Sequence, residues 1–382
     1  METANGSAGQ AAREAELSRI ISEITPPDQA MENIVRADFE ALAVPPGSLG
    51  KLEDIAVQLA GISGERRPSV RKKRIVVLCA DNGVYAEGVA GTPQEVTARQ
   101  AVNMVRGRSG MSVLALATGC EVEVADVGIA TPYTKEPDGR GRGILDMKIR
   151  PGTGNIAREA AMTRDEAMRA VLNGVSLARK ASGEGVDLLG VGEMGIGNTT
   201  TSAAVLAALT GRSARDVTGR GAGLPDKAYA RKIKVVDRAV RLHFADGSAG
   251  ARGKEKDPIE VLARVGGLDL AAMCGVYLGC ARYHVPAVID GFISAVAALC
   301  AVRLCGDCRG YIFASHHSAE RGFRAAMEAL GMDAYLHLGL RLGEGSGCPL
   351  GFRVMEAACT ILSDMATFEE AGIDDDYLEN MK

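Results

Sequence analysis

"VDLLGVGEMGIGNTTTSAAVLAAL", residues 186–209, joins an apolar run, four glycines within eight positions and a long small-residue tail. The run 186–191 reads as a short buried strand. "NTTTSAAVLAAL" reads as a helix, with Asn198 and Thr199 as capping candidates. Glycine loses the most freedom on folding, so a cluster of it marks a tight turn, a close backbone approach or a bound ligand. A strand, a glycine turn and a helix form half of a βαβ unit. The bare N–H groups and dipole at such a helix start suit an anion. The stretch has neither the closing Lys-Ser/Thr of a P-loop nor the spaced G-x-G-x-x-G of a dinucleotide site. A mononucleotide phosphate fits it best; a purely structural turn is the other reading. Glu193 favours use, because an acid set against anion-binding amides is costly.

The same rhythm recurs outward from this point. Apolar or β-branched runs at 75–79, 121–127, 186–191, 286–290, 311–314 and 334–338 alternate with helical segments. That pattern predicts a doubly wound α/β fold, its six-stranded sheet mostly parallel and helices on both faces. The strand ends read "ADNGV", "DVGI", "GVGEMGIGN", "IDGF", "ASHHS" and "HLGLRLGEG", so the unusual polar residues collect at one edge. Ligands of open α/β sheets bind in that crevice. Upstream, "ITPPDQAMENIVRADFEAL" and "VPPGSLGKLEDIAVQLAGI" carry apolar residues at helical spacing, and "GERRPSVRKKR" (64–74) marks a boundary. Residues 131–145 and 246–257 read as excursions, and the acidic tail as surface.

Composition narrows the function classes. The chain has 382 residues, 47% hydrophobic and 24% charged, with a formal net charge of −4, which fits a soluble globular protein. Aromatics are 4% with no Trp, and no basic footprint appears, so nucleic acid is not an expected partner. The N-terminus lacks an apolar core of the secretory type. The longest apolar run, 286–304, is interrupted by Asp290 and Arg303 and is too short to span a bilayer. A cytoplasmic location is expected. Nine Cys sit mostly in apolar segments and read as reduced thiols. Cys300, Cys305 and Cys308 follow C-x4-C-x2-C, an iron–sulfur spacing, but Cys300 falls in a helical pattern, so the thiols read as incidental.

Several residues could carry chemistry at the polar edge. The second glycine-rich loop, "TGRGAGLPDKAYARKIKVV" (218–236), precedes Lys227, Lys232 and Lys234 on a helix; a lysine near backbone amides would complete a phosphate cradle. In "ASHHSAERG" (314–322), adjacent His316 and His317 point in different directions and no further ligand follows at metal spacing. Ser315 and Ser318 read better as phosphate or ribose contacts, and no metal or cofactor is expected. In "HLGLRLGEGSG" (337–347), Glu344 stands between glycines after a strand. A carboxylate in a partly dry crevice has a raised pKa and can act as a general base. Asp81, Asn82 and Gln94 offer hydrogen bonds after the first strand.

The blocks "PPGSLGKLE", "ADNGVYAEGV", "PQEVT", "GEMGIGNTTT", "GRGAGL", "DPIEVLARVGGLDLAAMCG", "PAVIDGFISAVAAL", "ASHHSAERG" and "LRLGEGSG" occur in order from about residue 20 to the end. Together they resemble the nicotinate-nucleotide:dimethylbenzimidazole phosphoribosyltransferase family. The resemblance implies transfer of phosphoribose from nicotinate mononucleotide to 5,6-dimethylbenzimidazole or a related base. Asn82 and Thr92 depart from the family pattern and leave the acceptor open. It further implies a homodimer, a large domain over 67–347, and a small helical domain from 1–66 with 348–382. Glu344 is implied as base and Glu193 as companion acid. Gly195, Gly197, Asn198, Thr199, Gly219, Gly221, Lys232, Ser315 and Ser318 are assigned to phosphate and ribose. Asp81, Gln94, Met194 and Leu342 are assigned to the base. A catalytically silent nucleotide-binding or regulatory protein on the same fold is the alternative.

Overall fold

Five of the six apolar runs form strands in the computed structural model, which describes residues 2–134, 143–244 and 256–374. They are β1 (Lys73–Ala80), β2 (Cys120–Gly128), β4 (Leu188–Met194), β5 (Ala287–Ile289) and β6 (Ile312–Ala314). The sixth strand is β3 (Leu145–Asp146). The order is β3-β2-β1-β4-β5-β6, and every pair is parallel. Strands are added to one side of β1 and then, from β4 onward, to the other; the gap between β1 and β4 is the switch point where such folds bind ligands. All residues of β1 and β4 are buried, so helices cover both faces at the centre. This is why "IVVLCA" is continuously apolar rather than alternating.

The run 334–338 is not a strand. It makes one parallel bridge, His316 to Leu336, with the His317 N–H on the Leu336 carbonyl at 2.7 Å and the Leu336 N–H on the Ser315 carbonyl at 3.1 Å. Gly339, at φ 65°, then turns the chain away. The excursions at 131–145 and 246–257 and the acidic tail fall largely outside the described residues.

Two helices cross so closely that a side chain has no room at the contact. A β-carbon on Gly275, in helix Leu268–Arg282, would collide with the Val171 carbonyl of helix Arg164–Gly183. One on Gly174 would collide with the Ala272 carbonyl. Helix Leu268–Arg282 also lies on β1, β2 and β4, so this crossing fixes the layer behind the site. The chain ends meet as well: Leu42 bridges Thr367, and helix Lys51–Ser63 packs on helix Cys348–Asp364. No described helix is long and apolar enough to cross a membrane.

Because the obstacle at Gly275 is backbone, Gly275→Ala is expected to cost about 2 kcal/mol or more of stability. An unfolding free energy from urea titration within about 0.5 kcal/mol of the parent's would show that the crossing relaxes freely.

Candidate active site

The loops after β1, β4, β5 and β6 enclose a cavity of about 870 Å³. Its lining brings together Glu193, Met194, Gly195, Gly197, Asn198, Thr199, Gly221, Lys232, Ser318, Leu342 and Glu344 from the sequence reading. Gly219, Ser315, Asp81 and Gln94 are not among the lining residues. A β-carbon on Gly219 would strike the Glu320 carboxylate. The Ser315 hydroxyl donates to the carbonyls of Ile289 (2.7 Å) and Asp290 (3.2 Å), bracing β6 against β5. The buried Asp81 carboxylate accepts the Ala130 N–H at 2.8 Å and ties the end of β1 to the loop after β2. Gln94 is half-buried on the approach to helix Val96–Val105.

The glycines of β4 answer to packing. A β-carbon on Gly192 would lie 2.5 Å from the Glu344 carbonyl oxygen and 2.9 Å from the Gly345 nitrogen. Its absence lets the 343–347 loop rest directly on the strand. Gly197 takes φ 97° to start helix Asn198–Thr210, and no side chain caps that helix. Asn198, a predicted cap, instead donates through Nδ2 to Glu193 and, at 3.2 Å, to Asp269. Two buried acids compete successfully for its donors.

Asp290 follows β5 and is 2% exposed. Its carboxylate accepts the Gly347 N–H at 2.6 Å and the Gly345 N–H at 3.0 Å. Just ahead of them in the same loop, Glu344 holds φ 66°, a left-handed conformation that is unusual for a residue with a side chain. Glu344 is 7% exposed. Its Oε1 accepts from Gln100 Nε2 at 2.8 Å, and its Oε2 is buried without a hydrogen-bond partner. Burial raises the Glu344 pKa. Gln100, and more weakly the Met111 N–H and Ser109 hydroxyl near the carboxylate, oppose that rise.

Glu193 accepts the Glu344 N–H at 3.4 Å. Burial, reinforced by the charge of Asp269, pushes Glu193 up to about 8. Burial likewise lifts Asp269 to about 6 and Asp290 to about 7. Glu193 is therefore largely neutral at pH 7, and donors to Glu193, Asp290 and Glu344 each oppose the rise that burial imposes.

Lys232 also lines the cavity; it is 1% exposed and donates from Nζ to Thr199 Oγ1 at 2.7 Å. Burial lowers it to about 8, while Glu320 works in the opposite sense. Thr199 Oγ1 and Lys232 Nζ stand 3.1 and 3.5 Å from where a β-carbon on Gly221 would be. A lysine, a hydroxyl, a helix start and a glycine loop thus converge on space suited to an oxyanion.

Burial lowers His316 to about 4, so it is a neutral member of the wall. His317 stacks on His337 and reaches Asp333 at 2.9 Å. Among the described residues no group of three or more His, Cys, Asp or Glu is arranged to hold a metal ion.

Gln100, Asp269 and Asp290 carry no motif that marks them in the sequence. Asp269, in the apolar "GLDLAAMCG", and Asp290, ending an apolar strand, each broke a hydrophobic run and could have been suspected on that ground. Gln100 reads as an ordinary polar helix position and gave no such signal.

The DBI_PRT phosphoribosyltransferase family model matches residues 24–373. The nicotinate-nucleotide–dimethylbenzimidazole phosphoribosyltransferase of Clostridium perfringens is 43% identical over 366 residues, 96% of this chain and 98% of that one. The enzyme of that name from Ruminiclostridium cellulolyticum is 45% identical over 336 residues, 88% and 92% of the two chains. The crystal structure of CobT from Thermus thermophilus superposes with a TM-score of 0.83 at 42% identity, covering 91% of this chain and 99% of that one.

The buried acids set a pH dependence for the ligand-free protein. A carboxyl whose folded pKa is raised stabilises the fold fully below its unfolded value of about 4, and this is lost as pH rises through the folded value. With Asp269, Asp290 and Glu193 at about 6, 7 and 8, stability should fall between pH 5 and pH 8. Lys232, lowered to about 8, opposes the trend only above that point. The unfolding free energy from denaturant titration should fall by at least about 1 kcal/mol over this range, and Glu193→Gln should flatten the fall. A midpoint that is level in the parent protein would contradict the assignment.

Proposed function

The chain belongs to the nicotinate-nucleotide–dimethylbenzimidazole phosphoribosyltransferase family, and from that premise we propose that Glu344 is the general base of the transfer. The reaction moves phosphoribose from nicotinate mononucleotide to 5,6-dimethylbenzimidazole or a related base, giving α-ribazole 5′-phosphate and nicotinate. One observation carries the role of Glu344. It lines the cavity with one carboxylate oxygen fixed by Gln100 and the other buried and unpartnered.

The chemistry asks for little else. An acceptor ring nitrogen bonds to C1′ of the ribose, which makes the ring cationic and acidifies its other N–H. Glu344 takes that proton. The bond from C1′ to the pyridinium nitrogen breaks, and nicotinate leaves with the electron pair. A single displacement inverts the configuration at C1′. Placement and fixed charge supply most of the rate in such a site.

Thr199, Gly221, Lys232 and Ser318, with the turn 195–198, would hold the nucleotide phosphate and ribose. A bound phosphate dianion would restore the charge-favouring surroundings that Lys232 lacks when the cavity is empty. Glu193, largely neutral at pH 7, would sit beside the reacting end without adding a second negative charge. Met194 and Leu342 would flank the base. Gly219, Ser315, Asp81 and Gln94 would act behind this lining, through packing and backbone support. Asn82, a departure from the family pattern, accepts from Thr201 at 3.4 Å among the buried supports. Thr92, the other departure, lines the cavity and bears on which base is accepted. A homodimer in the cytoplasm, and a helical unit from 1–66 with 348–382 beside a catalytic unit at 67–347, complete the proposal. The meeting of the chain ends supports that division.

Glu344→Gln should lower turnover by about 100-fold or more while nicotinate mononucleotide binding stays within about threefold. Turnover near the parent's would remove Glu344 from the role. Lys232→Met should raise the KM for nicotinate mononucleotide by about tenfold or more, with a smaller change in kcat. An unchanged KM in steady-state assays would place the phosphate elsewhere.

A further inference from the structure

Helix Phe292–Leu304 runs into a short 3-10 segment, Gly306–Tyr311, that leads to β6. Cys305 stands at the junction with Cys308 three residues on, a Cys-Gly-Asp-Cys sequence that the transfer chemistry leaves unused. The Cys308 N–H donates to the Cys305 carbonyl at 3.1 Å and closes a turn. Turns of this kind hold the first and fourth α-carbons within about 7 Å, close to the span a disulfide needs. Cys305 stands just before the 3-10 segment with an extended backbone (φ −147°, ψ 108°), and the turn closed onto its carbonyl brings Cys308 back against it. Their exposure differs. Cys305 is partly open to solvent between exposed Gly306 and Asp307 on one side and the helix end on the other, whereas Cys308 is buried.

From this geometry we infer that Cys305 and Cys308 form a reversible dithiol–disulfide couple, with Cys305 as the attacking sulfur. The hydrogen bond from Cys308, helped by the Asp307 and Cys308 N–H groups, holds Cys305 down to about 6. The same hydrogen bond and burial push Cys308 far up. Burial raises the other seven cysteines. Cys305 is therefore the one cysteine largely ionised at neutral pH, and the thiolate is the nucleophile.

A low-molecular-weight disulfide serves as the oxidant. The Cys305 thiolate attacks one of its sulfurs, forms a mixed disulfide and expels one thiolate. Cys308 gives its proton to that departing thiolate, then attacks Cys305 and expels the second thiolate, which takes a proton from water. Two protein thiols become one disulfide, and one small disulfide becomes two thiols.

The test is peptide mass spectrometry of the full chain incubated with oxidised glutathione at pH 7. The expected product is a disulfide confined to Cys305 and Cys308, reversed by reduced glutathione. Cys308→Ser should instead accumulate a glutathione adduct at Cys305. In the reduced parent, iodoacetamide should label Cys305 at least about tenfold faster than any other cysteine. Oxidation spread over several cysteines, or a parent in which Cys305 is alkylated no faster than the rest, would overturn the inference. The parent's readouts do not depend on how the variant folds.

Discussion

One buried carboxylate, that of Asp290, holds the loop carrying Glu344 onto the sheet. It sits at the end of β5 and accepts two N–H groups, those of Gly345 and Gly347, directly downstream of Glu344. A left-handed backbone at a residue with a β-carbon costs about 1–2 kcal/mol, and it persists when its surroundings over-determine it. Here they do: Asp290 grips the loop from below, Gly192 clears the strand beneath it, and Gln100 fixes the carboxylate from the side. Glu344 is thereby placed by elements of the sheet and its helices rather than by a free loop.

The electrostatics follow from that placement. Three carboxyls, those of Glu193, Asp290 and Glu344, line the cavity, Asp269 is fully buried beside Asn198, and burial raises the pKa of all four. Donor hydrogen bonds oppose that rise at each of them. Asp290 has two backbone N–H groups but lies deep, and Glu193 has Asn198 with Asp269 close by. Burial raises Glu344 too, and the Gln100 amide, with the Met111 N–H and the Ser109 hydroxyl, opposes that rise. Lys232, lining the same cavity, shows the mirror image: a cation made expensive by burial.

Much of this was legible in the sequence because parallel sheets concentrate polar residues at one edge. "IVVLCADNG" and "LLGVGEMGIGN" each show an apolar strand stopping at a polar turn, and both turns border the site region. What stayed hidden was long-range or too short to have a period. β3 spans two residues and leaves no alternation. The 334–338 run looked like a strand by composition yet pairs at a single bridge. Asn198 matched a cap by local rule, and buried acids, one of them distant in sequence, took its donors. Asp290 and the glycines it binds are more than fifty residues apart, a pairing that only the folded sheet brings about. Ser315 and Asp81 stand at strand ends, which suggests ligand contacts; the structure adds that each side chain also bonds backbone, to Ile289 and from Ala130.

The most direct test of this arrangement is a crystal structure of the chain with 5,6-dimethylbenzimidazole bound. The expected result places a Glu344 carboxylate oxygen about 2.6–3.2 Å from a ring nitrogen, the reach of a proton acceptor, with the 343–347 loop still held by Asp290. A ring seated elsewhere, or a Glu344 side chain swung into bulk water while the ring occupies the cavity, would contradict it.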